Sequence, residues 1–295
     1  MLRRVKQYIR DNELLQPSDR VLVCVSGGAD SMALWDVLQR IGYECIIAHC
    51  NFHLRDAESN RDEDFVVAYN NHANKKAKVL VQNFDTRAYA QEHGISIEMA
   101  ARKLRYQWFA QVAKEEGCSA IAVAHHQNDQ AETLLLNLKR GTGIRGLCGM
   151  RAISPNPEGG EIPVIRPLLC TTRDYIEHYL RDIRHLPWVN DSTNHDTTIA
   201  RNAVRKQLAT YKKAEIEHLA ATAEHMQGYV DWITGLDTPA ARRAKLHEEI
   251  REYGFVEINK IHDALQSGIG GKIFRSATHQ AIIKRGKLVI TPLED

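Results

Sequence analysis

Four short runs of the chain are almost wholly apolar: RVLVCVS (20–26), ECIIAHC (44–50), AKVLVQN (77–83) and SAIAVAH (119–125). Between them apolar positions recur at helical spacing, in ADSMALWDVLQRIG, DAESNRDEDFVVAYNNHANKK and SIEMAARKLRYQWFAQVAKEEG. Strand-length runs without polar alternation are buried on both faces. Alternating with helices, they predict an α/β fold, a Rossmann-like parallel sheet with helices on both faces. Ligands of such sheets bind at the carboxyl ends of the strands.

Beyond about Thr210 the rhythm changes. YKKAEIEHLAATAEHMQGYVDWITGL (211–236) reads as one long amphipathic helix, and GKIFRSATHQAIIKRGKLVITPL (271–293) as short strands around Gly turns. The expected architecture is a first α/β domain over residues 1–212 and a smaller helical, α+β domain over 213–295. Within the first, SPNPEGGEIP (154–163) is a Pro/Gly loop.

The 295 residues, 43% hydrophobic and 26% charged, suit one large and one small globular domain and exclude a mainly disordered chain. With a formal net charge of only +2, nucleic-acid contact has to come from a local patch. Cysteines 24, 45, 50, 118, 148 and 170 form no CxxC pair, which points to free thiols in a reducing compartment rather than a disulfide frame or zinc knuckle. There is no signal-peptide core and no run of about 18 apolar residues, so a cytoplasmic protein without a membrane partner is expected.

The chemistry begins where the first apolar run ends. Ser26, Gly27, Gly28, Ala29, Asp30 and Ser31 stand where a buried strand turns into a helix. Free N–H groups at that helix start, with glycines removing side-chain obstruction, can wrap an anion. The spacing is neither the Walker loop nor the dinucleotide G-x-G-x-x-G. An aspartate inside the cradle would repel bare phosphate, so the pattern points to pyrophosphate carrying Mg²⁺, with Asp30 as the metal-side residue.

Other residues leave alternatives open. His49 and His53 have metal-ligand spacing but follow a strand with no third ligand near, so either they line the nucleotide pocket or they are loop histidines satisfied by backbone. Asp129 and Glu132 are one helical turn apart after the fourth run. Together they need a cation, Mg²⁺ or the ammonium group of a substrate, or else Asp129 is a helix cap. Arg102, Lys103 and Arg105 crowd one turn beside Glu98 and Tyr106. Lys139, Arg140 and Arg145 stand among three glycines in LKRGTGIRG, and Arg201 and Arg205 share a helical face. These cations are either solvated surface or contacts to phosphate.

SGGADS matches the SGGxDS motif, and the chain resembles the PP-loop, N-type ATP pyrophosphatases. Among them HCNFHLR (49–55), EMAARKLRY (98–106), AHHQNDQAETLLLNLKRGTGIRGLCGM (124–150), IRPLL (165–169) and LPWVNDSTNHDTTIARNAVR (186–205) look, in that order, like the blocks of the tRNA(Ile)-lysidine synthetases. THQAIIKRGKLVI (278–290) is similar to that family's second domain.

The resemblance implies a carbon–nitrogen ligase that consumes ATP to AMP and pyrophosphate with Mg²⁺. It would adenylate the C2 oxygen of the wobble cytidine in the isoleucine tRNA with anticodon CAU, and then let free L-lysine displace AMP. Ser26–Ser31 would bind ATP, Asp30, Asp129 and Glu132 would be catalytic, and Arg102, Arg105, Lys139, Arg140, Arg145, Arg201 and Arg205 would contact tRNA or phosphate. A homodimer is a candidate assembly. Longer members carry a further carboxyl-terminal domain; a sequence stopping at ITPLED is either a short form or a piece of a longer one. The alternatives are another PP-loop enzyme such as a tRNA thiolase, which would ordinarily need CxxC pairs, a GMP or NAD synthetase, which would need a glutaminase segment, and an RNA-binding module without catalysis.

Overall fold

The computed structural model describes residues 1–55, 57–72, 76–190, 199–267, 270–284 and 286–293. In chain order the elements are α1 (Leu2–Asp11), β1 (Arg20–Cys24), α2 (Ala29–Ile41), β2 (Glu44–Asn51), α3 (Ala57–His72), β3 (Lys78–Asn83), α4 (Thr86–His93), α5 (Ile97–Glu115) and β4 (Ala120–Ala122). Then come α6 (Gln127–Lys139), α7 (Ile144–Leu147), β5 (Ile153–Ser154), β6 (Val164–Ile165) and α8 (Arg173–His178), which runs on as a π-helical turn over Tyr179–Arg184. The chain continues with α9 (Ile199–Leu208), α10 (Lys213–Ile233), α11 (Pro239–Ile250), α12 (Ile258–Gln266), β7 (Ile273–Arg275), β8 (His279–Lys284) and β9 (Lys287–Pro292).

Contacts divide the chain into two compact units, Met1–Leu136 with Met150–Ala220 and Asn137–Gly149 with Ala221–Asp295. By contacts the division falls within α10, whose start packs Ile216 into one apolar cluster with Leu136, Val204 and Leu208. The segment Asn137–Gly149, including α7, goes with the second unit.

In the first unit the strands order as β3-β2-β1-β4-β6-β5, and every pairing is parallel except β5 on β6. This is the parallel sheet expected, with β5 added as an antiparallel edge strand. Side chains along each central strand alternate between two apolar layers. Val21, Val23, Ile47, Ala122 and Ile165 face one layer, packed with Met32, Trp35 and Leu38 of α2. Leu22, Ile46, Ala48, Ile121 and Val164 face the other, packed with Tyr106, Phe109 and Val112 of α5. This two-sided burial is why the strands read as unbroken apolar runs.

Helix α4 has little apolar pattern and is set by its ends. The Asp85 side chain accepts from Ala88 N–H at the start, and Gly94 takes the left-handed conformation at the finish. The run SAIAVAH pairs only over Ala120–Ala122, so His125 and His126 lie beyond the strand.

In the second unit, β7, β8 and β9 form an antiparallel sheet in that order. Phe274, Ala281 and Ile283 of the sheet pack with Leu246 and Ile250 of α11 and with Ile261 and Ala264 of α12. Among the described residues no helix is long and apolar enough to cross a membrane.

Candidate active site

Strand order positions the site. From β1 the chain crosses by α2 to β2 on one side, whereas β4, on the other side of β1, leads towards β6, so the sheet has its topological switch point between β1 and β4. The loops leaving β1 and β4 part there and open a crevice at the carboxyl edge. The β1 loop is Val25–Gly28, and the β4 loop carries His125 and His126 into α6.

The β1 loop satisfies itself with its own serines. Ser31 Oγ accepts from Ser26 N–H at 3.1 Å and donates to the Gly28 carbonyl at 2.9 Å, and Ser26 Oγ lies 3.2 Å from it. Gly27 has φ +91, the region in which glycine is at ease, and its carbonyl accepts from Val189 N–H at 2.9 Å. Gly28 is the N-cap of α2 and supplies no side-chain cap. The first-turn N–H groups of α2 are thus left for an anion, with the positive end of the helix dipole behind them.

Asp30, in that first turn, meets residues from two other strand ends. Its Oδ2 accepts from Arg173 Nη1 at 2.8 Å, and its Oδ1 lies 3.6 Å from His126 Nε2. Asp129 Oδ2 stands 3.5 Å from the same nitrogen. Both distances exceed a hydrogen bond, and Asp30 Oδ1 is buried with no hydrogen-bond partner among the described residues. Arg173, the first residue of α8, is anchored independently: Nε donates to Glu177 at 2.8 Å and its backbone N–H to Asn128 Oδ1 at 2.9 Å.

The charges follow from this crowding. Burial pushes the His126 imidazole towards neutrality, but the facing Asp129 and Asp30 outweigh it and raise its pKa above the ordinary 6.5. Burial likewise pushes Asp129 upward, and His126, His125 and Arg205 together overcome it, holding the carboxyl below its usual 3.8. Asp129 also caps its own helix, Oδ2 accepting from His126 N–H at 3.0 Å.

Asp129 and Glu132 are therefore not a shared pair awaiting one cation. Asp129 faces His126, while Glu132, 4% exposed, accepts from Arg205 Nε at 2.9 Å. Arg205, expected on an RNA-facing surface, is the partner of an expected catalytic carboxylate. On α5, Arg102 lays its guanidinium over the Tyr106 ring and Arg105 lays its own over Phe52, each 5.0 Å from the ring centroid. Lys139, Arg140 and Arg145 are exposed in the second unit. The side chain of Arg201, and residues 191–198 of the block that precedes it, lie outside the described residues. His49 belongs to β2 rather than to the loop, since pairing with β3 extends to Asn51, and its Nδ1 bonds the Val25 carbonyl at 2.9 Å.

Sequence reasoning missed His126, Arg173 and Asn128. Their signal was position: each stands just after a strand end of a parallel sheet, but β6 is two residues long and escapes any apolar-run search. It missed as well the network behind α2, where Tyr179 and Arg184 bond Asp36 at 2.5 and 3.0 Å.

Among the described residues no three or more His, Cys, Asp or Glu side chains are gathered to hold a metal ion. The arrangement suits a cation that keeps phosphate oxygens and water as its main ligands, as Mg²⁺ does, with the orphaned Asp30 Oδ1 as a protein donor.

Comparison with known proteins agrees with this geometry. Residues 1–212 match the model of the PP-loop domain, and residues 233–293 that of the TilS substrate binding domain. A tRNA(Ile)-lysidine synthase of Porphyromonas gingivalis is 39% identical over 98% of this chain and 67% of its own length. One of Bacteroides thetaiotaomicron is 50% identical over 70% of this chain and 46% of its own. One of Parabacteroides distasonis is 38% identical over 100% of this chain and 70% of its own. Among solved structures the U34-tRNA thiolase NcsA from Methanococcus maripaludis superposes with a TM-score of 0.60 at 16% identity, over 76% of this chain and 78% of that one, a likeness of fold.

Proposed function

We propose, from the premise that this chain belongs to the tRNA(Ile)-lysidine synthase family, that it joins free L-lysine to C2 of the wobble cytidine of the CAU-anticodon isoleucine tRNA, consuming ATP. The observation that carries this reading is the succession, in one chain, of a PP-loop domain and a TilS substrate binding domain. That succession favours lysidine formation over the thiolase alternative.

In the first step the cytidine C2 oxygen attacks the α-phosphorus of ATP, the bond to the bridging oxygen breaks, and pyrophosphate leaves. The uncapped N–H groups of α2 receive that leaving group as its charge develops. Bound Mg²⁺ would neutralise phosphate oxygens there, with Asp30 as its protein contact. The cytidine has to be unstacked from the anticodon loop to present its oxygen.

In the second step the lysine ε-amine attacks C2, the carbon–nitrogen bond forms, and the carbon–oxygen bond to AMP breaks. Asp129, held ionised beside His126, is suited to orient the incoming ammonium. Glu132, buried against Arg205, holds that guanidinium beside Asp129 as a positioning residue, and the proton that the amine sheds passes to Asp129 or to water. The product decodes as isoleucine rather than methionine.

The test is transfer of labelled lysine to a CAU-anticodon isoleucine tRNA transcript with ATP and Mg²⁺, beside a transcript carrying uridine at the wobble position. Label in the first alone is expected, with AMP formed in equal amount. Label in neither, while AMP and pyrophosphate still appear, would mean that the amine or the RNA is misassigned.

A further inference from the structure

Three strand ends converge on the Asp30 carboxylate, and only one of its oxygens is satisfied. Oδ2 is held by Arg173 at 2.8 Å, whereas Oδ1 is buried, without a hydrogen-bond donor among the described residues and 3.6 Å from His126. Asp129 leans on the same imidazole from 3.5 Å, so two carboxylates face one ring and a guanidinium. Leaving a buried carboxylate oxygen unmatched is costly, and an arriving divalent cation would relieve it.

Arg173 is built to survive that arrival. Its Nε is tied to Glu177 one turn along α8, and its backbone N–H to Asn128 at the start of α6. Neither tie involves Asp30. If Asp30 turns to a cation, the guanidinium stays in place and its Nη1 is released beside the uncapped start of α2, where phosphate would lie. A guanidinium suits both partners, since carboxylate and phosphate present the same spacing of acceptor oxygens.

We infer that Arg173 is a positioning residue that trades partners, holding Asp30 when no divalent cation does and passing to a phosphate oxygen of the nucleotide when a divalent cation takes Asp30. The inference rests on the reading of the β1 loop as a pyrophosphate cradle. Glu177 sets the balance by drawing the guanidinium away from Asp30.

The experiment uses the whole chain and two probes, Mn²⁺ alone, followed by its spin-resonance signal, and pyrophosphate with Mn²⁺, followed by calorimetry. Arg173→Met should tighten binding of Mn²⁺ alone about threefold, because the competing cation is gone, and weaken pyrophosphate about tenfold, because a charged donor is lost. Arg173→Lys should recover part of the pyrophosphate affinity. Glu177→Gln should act in the opposite sense on Mn²⁺ and weaken it, since Arg173 then leans fully on Asp30. Opposite signs cannot arise from general loosening of the fold, and Glu177→Gln tests the idea even where Arg173→Met folds poorly. Unchanged or weaker Mn²⁺ binding in Arg173→Met, or shifts of the same sign in both variants, would overturn the exchange of partners. Wild-type protein that binds no Mn²⁺-pyrophosphate would instead overturn the cradle reading beneath it.

Discussion

Arg205 Nε donates to Glu132 Oε2 across 2.9 Å, joining α9 to α6 beside the candidate site. Glu132 is 4% exposed and Arg205 36%, so the carboxylate depends on the arginine more than the reverse. Arg205→Ala should lower stability by about 1–3 kcal/mol, as for a buried carboxylate that loses a charged hydrogen-bond donor. Adding Glu132→Gln should return part of the loss in a denaturant-unfolding cycle. Strictly additive losses would mean that the two side chains do not interact.

Gly27 and Gly28 should fail differently. An alanine at Gly27 would meet only ordinary contacts, Phe65 and Val189 at 3.5 Å, but must adopt φ +91. That conformation should cost about 1–2 kcal/mol of stability. Gly28 has φ −71 and its nearest new contact would be Ser26 Oγ at 3.5 Å, so Gly28→Ala should keep its melting temperature. Its methyl would stand in the cradle, and pyrophosphate affinity should drop about tenfold, or roughly 1.4 kcal/mol. Calorimetry beside thermal melts separates the two, and equal melting losses would contradict the assignment.

At Gly228 a Cβ would stand 2.5 Å from the Ala240 carbonyl oxygen, where α10 and α11 approach closely. Alanine favours helix by up to about 1 kcal/mol, but forcing backbone apart costs about 1–3 kcal/mol, so the clash wins. Gly228→Ala should therefore lower the unfolding midpoint. A raised midpoint would show that the helices separate without cost.

His49 is 3% exposed and its Nδ1 faces the Val25 carbonyl, which can only accept, so Nδ1 carries a proton. Burial dominates and sets its pKa below 6.5. The unfolded chain then binds this proton first. The stabilisation from His49 is complete above pH 6.5 and is lost as pH falls through the lower folded value. Acid titration of stability should be shallower just below pH 6.5 in His49→Gln, and an unchanged slope would remove His49 as its source.

The parallel sheet was legible because Val21 to Val25 and Ile46 to Ala48 are apolar towards both layers, and SGGADS because glycines and an aspartate break such a run at once. The partners within the site were not. Asp30 and Arg173 are 143 residues apart, and nothing local marks a two-residue strand such as β6 as the carrier of a functional loop. Asp129 was legible by spacing alone, which cannot distinguish a cap from a ligand; the structure records the cap, with His126 opposite. Arg205 was expected to contact tRNA or phosphate, and its pairing with Glu132 was not legible because that partner lies 73 residues earlier.

Helix α2 is fastened to the α8 segment at two levels, by Asp30 to Arg173 near its start and by Asp36 to Tyr179 and Arg184 almost two turns on. The deeper fastening is buried and lies outside the cradle. A ligand that undoes the first leaves the second closed, so occupancy can come and go while the segment keeps its register along α2. Resetting the site between turnovers then asks for one side chain to swing back, with no element having to refold.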